Sequence, residues 1–123
     1  MIGYTTLGSN DMPKAAAFYD ALFAELGGKR FMDFGENFIC WASAPGQAAF
    51  CITKPFNGEA ASVGNGVMIA LPVKDKAQVD ALHAKALSLG ASDEGAPGPR
   101  GDNFYAGYFR DPDGNKLNVF VMG

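Results

Sequence analysis

The chain predicts an α+β fold in which two copies of a β-α-β-β-β module form a curved mixed sheet with helices on its outer face. Three observations predict it. Two segments carry an apolar period of three and four residues, and a short strand-like run precedes each of them. Aromatic and β-branched runs separated by turn residues follow each helix. The two halves also repeat at a nearly constant spacing. At 123 residues, with 48% hydrophobic and 19% charged side chains, the chain is sized for one compact domain.

Residues 2–9 read as the first strand. Asp11 offers a helix N-cap, and Pro13 falls in the first turn, where its missing N–H costs nothing. Ala15, Phe18, Tyr19, Leu22, Phe23 and Leu26 form one stripe facing a sheet, and Gly27-Gly28 ends the helix. Strands are predicted over Arg30–Phe34, Phe38–Ala42 and Ala48–Thr53, with Ala44-Pro45-Gly46 as the turn between the last two. The turn-rich run from Pro55 to Gly66 reads as a loop, and Val67–Val73 as the next strand. Lys74 or Asp75 opens a second helix carrying Val79, Leu82, Ala86 and Leu89, stopped by Gly90. Ala91–Asp102, with its glycines and prolines, reads as an exposed loop; Phe104–Arg110, Asp111-Pro112-Asp113-Gly114 and Lys116–Val121 read as a hairpin.

The halves align in detail. Leu7 and Leu71 stand 64 positions apart, as do Asp11 and Asp75, which sets the modules at about 1–54 and 66–123 of a single domain. Either half alone would expose a sheet face, so the pair is expected to share a sheet or barrel whose concavity takes a ligand.

A net charge of −3, with both signs interspersed, leaves no basic stripe for nucleic acid or an anionic membrane. Apolar runs are short, and the first residues lack the charged-then-apolar layout of a secretory signal, so a cytoplasmic protein is expected. Two cysteines, Cys40 and Cys51, are too few for a disulfide framework and fit a reducing compartment as small hydrophobes. If Ser43 pairs with Ala48, they oppose each other on one face. His83 reads as a helix-surface residue, and Lys54, Arg100 and Arg110 as solvated charges.

The run Leu7-Gly8-Ser9-Asn10-Asp11 with Ala17-Phe18-Tyr19, its repeat at Ile69–Asp75, and Tyr108-Phe109-Arg110-Asp111-Pro112-Asp113-Gly114-Asn115-Lys116-Leu117 resemble the vicinal oxygen chelate superfamily. That superfamily includes glyoxalases, bleomycin resistance proteins and extradiol dioxygenases, and the resemblance covers nearly the whole chain. It implies a divalent metal held by two His and two Glu side chains. The corresponding positions here are Tyr4, Cys51, Met68 and Asn118. These include neither imidazole nor carboxylate, so no metal and no other cofactor is expected.

Strand alternation places Lys116 and Phe120 on the face of Asn118, with Tyr108 opposite it and Phe104 and Ala106 alongside. The expected ligand-binding set is therefore Tyr4, Cys51, Met68, Phe104, Tyr108, Lys116, Asn118 and Phe120. Three readings stay open: a metal-free module that binds a small molecule, a metal-dependent glyoxalase I-like lyase or dioxygenase with non-standard ligands, and a metal-free enzyme using Tyr or Cys. The resemblance also implies a homodimer.

Overall fold

The computed structural model describes residues 1–123 as two compact units, Met1–Val63 and Gly64–Gly123. The first unit runs β1 (Tyr4–Gly8), α1 (Met12–Ala24), β2 (Lys29–Asp33), β3 (Phe38–Ala42) and β4 (Ala49–Thr53). Its sheet has the order β1-β4-β3-β2, with β1 parallel to β4 and the other pairs antiparallel. The second unit repeats this as β5 (Ile69–Pro72), α2 (Lys76–Ser88), β6 (Ser92–Pro99), β7 (Phe104–Arg110) and β8 (Lys116–Met122), in the order β5-β8-β7-β6. The α+β class and the repeated module are as the sequence predicts, and hydrogen bonding divides the eight strands into two mixed sheets of four. No helix is long and apolar enough to cross a membrane.

Local chemistry sets the helix ends. The Asp11 carboxylate accepts from the Lys14 N–H at 3.1 Å, and that of Asp75 from the Gln78 N–H at 2.8 Å. Gln78 Oε1 reaches back to the Lys74 N–H at 3.0 Å, which satisfies another donor at the helix start. Past the helices, Gly27 and Gly90 take φ of +72° and +104°, left-handed values that favour glycine and release the chain toward the next strand.

Each helix covers one face of its own sheet. In the first unit Tyr19 and Phe23 of α1 pack on Trp41 and Phe50, with ring centroids 4.7–5.9 Å apart. Asp20, also on α1, accepts from Trp41 Nε1 at 2.9 Å and holds Arg30 through two bonds of 2.8 and 2.6 Å. These bonds, led by the one from Arg30, lower the Asp20 pKa against the opposing effect of burial. In the second unit Val79, Leu82 and Ala86 are buried on α2, as are Phe109, Leu117 and Val119 on the sheet.

Two expectations are corrected here. Ala91–Asp102 is not simply an exposed loop, because Ser92–Pro99 forms β6 against β7, with register shifts after Asp93 and after Gly95. An edge strand tolerates Pro97, Pro99 and the glycines because one of its sides needs no ladder bonds. His83 is buried rather than on the surface: its Nε2 lies 3.0 Å from the Tyr108 carbonyl and 3.2 Å from Asp93 Oδ1, and a Cβ on Gly107 would approach its ring to 3.0 Å. The imidazole thus ties α2 to β6 and β7, and the small Gly107 makes room for it.

Candidate functional site

Period-two alternation leaves the second face of each sheet turned away from its helix. In the first unit the register sets Tyr4, Thr6 and Gly8 of β1, Phe38, Cys40 and Ala42 of β3, and Ala49, Cys51 and Thr53 of β4 on that face. Met32 of β2 opposes Cys40 and joins them. A cavity of ≈ 810 Å³ lies here, walled by Tyr4, Phe31, Met32, Phe38, Cys40 and Ala42. Tyr4 and Phe38 meet edge to face at 6.4 Å.

Two cations reach this wall, Lys29 and Arg30. Arg30 is committed to Asp20 and, through Nη1 at 2.8 Å, to Asp33. Hydrogen bonding to Asp20 first, and to Asp33 after it, raises the guanidinium pKa further. Lys29 is left as the cation that can face a bound anion.

In the second unit the corresponding face carries Ala70 and Pro72 of β5, Asn118 and Phe120 of β8, and Phe104, Ala106 and Tyr108 of β7. The predicted register holds throughout, since Tyr108 opposes Asn118, Ala106 opposes Phe120 and Arg110 opposes Lys116. Phe104 and Phe120 stack at 5.4 Å, and the Tyr108 ring has the Arg100 guanidinium at 5.5 Å and the Lys116 ammonium at 5.4 Å from its centroid. Asn118 is 1% exposed, and its Oδ1 has no hydrogen-bond partner. Arg110 is occupied by Glu94 at 2.7 Å and by the Gly114 carbonyl at 2.9 Å.

The two faces correspond position by position. Thr6 opposes Cys51 as Ala70 opposes Asn118, and Cys40 opposes Cys51 as Tyr108 opposes Asn118. Cys51 and Asn118 are therefore equivalent places in the repeat, as are Tyr4 and Met68, which the 64-residue spacing relates. Met68 lies just before β5, since the strand is shorter than the predicted Val67–Val73, and it is exposed.

The cysteines depart from expectation. Their opposition across β3 and β4 is as the turn register predicts, but they are joined as a disulfide and neither is free. Their Cα atoms are 4.1 Å apart, so two thiols forced together by the ladder have a bonding partner within reach. Cys51 is 0% exposed, and within this bond it offers neither a ligand-binding thiol nor a nucleophile.

At the four positions that the resemblance marks, the donors are a phenol, a disulfide sulfur, a thioether and a carboxamide. None is an imidazole or carboxylate, and no three His, Cys, Asp or Glu side chains anywhere in the chain group to hold a metal. The residues do not fit the divalent site of catalytic relatives. Sequence reasoning missed Phe31 and Met32 as cavity wall, because the register shift between Arg30 and Met32 hides which residues of β2 face it, and it missed Phe38, although strand alternation from Cys40 puts that ring on the same face.

A profile of the Glyoxalase/Bleomycin resistance protein/Dioxygenase superfamily matches residues 1–119. No curated protein matches the chain. Among solved structures, a glyoxalase/bleomycin resistance protein from Albidiferax ferrireducens is 34% identical with a TM-score of 0.89, over 100% of this chain and 99% of its own. A hypothetical protein from S. aureus is 25% identical, with a TM-score of 0.76 over 99% of this chain and 93% of its own. A lactoylglutathione lyase from Agrobacterium tumefaciens, at 23% identity and a TM-score of 0.74 over 98% of this chain and 92% of its own, shares the fold. With a matching profile across almost its entire length and a relative one-third identical from end to end, the chain belongs to the glyoxalase/bleomycin resistance protein/dioxygenase superfamily.

Proposed function

We propose that the chain is a cytoplasmic binding member of this superfamily, which takes up a small, partly aromatic molecule without a divalent metal. The observation that carries this reading is the ≈ 810 Å³ cavity on the open sheet face of the first unit. Ligand pockets commonly span about 300–1,000 Å³, with mostly apolar walls and a few polar groups that fix orientation. Tyr4, Phe31, Phe38 and Met32 supply the apolar wall, and Lys29 supplies a cation at one side. An aromatic anion matches both. The donor set argues against the lyase and dioxygenase readings, and the complete burial of Cys51 argues against a thiol nucleophile.

The test uses anilinonaphthalene sulfonate, an aromatic sulfonate, as the probe. Its fluorescence should rise saturably with about one equivalent bound, change little with EDTA or added Mn(II), and weaken about tenfold in Phe38→Ala, the order expected for losing one aromatic contact. A non-saturating response, or one that a chelator abolishes, would count against the proposal.

The binding unit is proposed to be a homodimer. Phe31 and Phe34 are 59% and 62% exposed on or beside the edge strand β2, and an edge with exposed apolar residues favours pairing with a second copy. Sedimentation at tens of micromolar should give twice the 12.9 kDa chain mass, and only the single-chain mass would remove this part of the proposal.

A further inference from the structure

The strand register of the first unit puts three sulfur-bearing side chains in one row across its open face. Met32 of β2 opposes Cys40 of β3, and Cys40 opposes Cys51 of β4, so the three side chains stand on the same face of three adjacent strands. Neighbouring strands lie about 4.8 Å apart, and directly opposed side chains are the closest pairs a sheet offers. Met32 and Cys40 both line the cavity, and Met32 is 38% exposed, so the row is open at one end. Cys51 closes the other end beneath the surface, packed with Ala49, Phe38 and Ala42.

We propose that reduction of the Cys40–Cys51 bond turns this row into a binding site for a soft monovalent cation, Cu(I), held by two thiolates and the Met32 thioether. A low-molecular-weight thiol supplies the electrons: two RSH become RSSR while the protein disulfide becomes two thiols. Cu(I) uptake then releases two protons as both thiols bind as thiolates. The donor chemistry selects the ion. Thiolate and thioether are soft ligands suited to Cu(I), whereas Zn(II) wants four ligands from a set of Cys, His and carboxylate, and no third such residue stands here. The flexible, unbranched Met32 side chain can adjust its sulfur to the two cysteines that the ladder fixes. Two thiolates and one Cu(I) leave a net negative charge, and Lys29 on the same cavity wall carries the opposite sign. Met32, Cys40 and Lys29 also wall the cavity proposed for the organic ligand, but Cu(I) uptake is read separately from its binding, so either proposal can fail without the other.

The test compares oxidised and phosphine-reduced protein, the latter desalted without oxygen, in competition with bicinchoninate for Cu(I). Reduced protein should withdraw one equivalent of Cu(I) per chain, and oxidised protein none. Met32→Leu, a change at an exposed position, should weaken reduced-state binding about tenfold or more, the scale on which even supporting groups of metal sites act. Cys51→Ser should abolish it. Near-UV circular dichroism from Trp41 serves as the folding check. Uptake that is absent from folded reduced protein, equal in the two redox states, or unchanged in Met32→Leu would overturn the proposal, as would a reduced chain that loses the Trp41 signal, because the site requires the sheet register.

Discussion

Trp41→Ala should cost about 3–5 kcal/mol of folding stability, the range for deleting a large buried aromatic. Total stability for such a domain is about 5–15 kcal/mol, so much of it would go. Trp41 is 2% exposed on β3, packs on Tyr19 and Phe23 of α1, and lies 5.8 Å from the Arg30 guanidinium. Its Nε1 also donates to Asp20, so alanine leaves a cavity and removes a donor from a carboxylate. Trp41→Phe keeps most of the ring packing and removes only the donor, which should cost about 1–3 kcal/mol. Urea titration followed by far-UV circular dichroism measures both, since the variants lack the single tryptophan. A loss below about 1 kcal/mol in Trp41→Ala would mean that α1 does not depend on this cluster.

The same network fixes a sign for acid sensitivity. Arg30 first, and Trp41 with it, hold the Asp20 carboxyl below the ordinary carboxylate range, against the opposing effect of burial. A group with a depressed folded pKa stabilises fully above its unfolded value and loses that contribution as pH falls through the folded one. The Asp20 contribution is thus present at neutral pH and disappears only below about pH 4. Asp20 and Arg30 are both more than a third exposed or close to it, so solvent screening keeps the contribution small.

Asp11, Pro13 and Gly27 mark α1 because capping, proline tolerance and left-handed backbone are local effects that a sequence displays directly. The β7–β8 register was equally legible: the Asp111–Gly114 turn fixes which residues oppose each other, so Tyr108 had to meet Asn118. Turn geometry likewise put Cys40 opposite Cys51. Composition then misled, because sparse cysteines suggested free thiols, whereas their bonding depends on the separation of two strands rather than on their number. β6 stayed hidden because its glycines and prolines read as loop, and an edge strand can carry them. The burial of His83 is hidden for a similar reason: whether a helix residue beside the apolar stripe is buried depends on Gly107 of β7, which no helical period reveals. The cavity wall at Phe31 and Met32 required the bulge in β2, and bulges leave little trace in a single sequence.

Asn118→Leu should stabilise the fold, although it removes a hydrogen-bonding group. Asn118 is buried within β8, opposite Tyr108 and Ala70 and two residues from Phe120 on the same face, and its Oδ1 meets no donor. A buried polar atom without a partner carries a desolvation cost of about 1–3 kcal/mol, whereas an apolar side chain of similar volume carries none. Leucine should therefore raise stability by about 1 kcal/mol or more, which for a domain of this size raises Tm by about 3–6 °C. Asn118→Asp supplies the opposite sign, because an ionised carboxylate at the same place adds the cost of a buried, unpaired charge. Thermal unfolding of the three proteins in one buffer decides the matter. If Leu destabilises by 1 kcal/mol or more instead, Oδ1 receives a donor in solution, from water or from a bound small molecule. A gain with Leu would mean that the chain keeps a carboxamide at a cost to its own stability. Such a trade is expected where a group is retained for a ligand rather than for the fold.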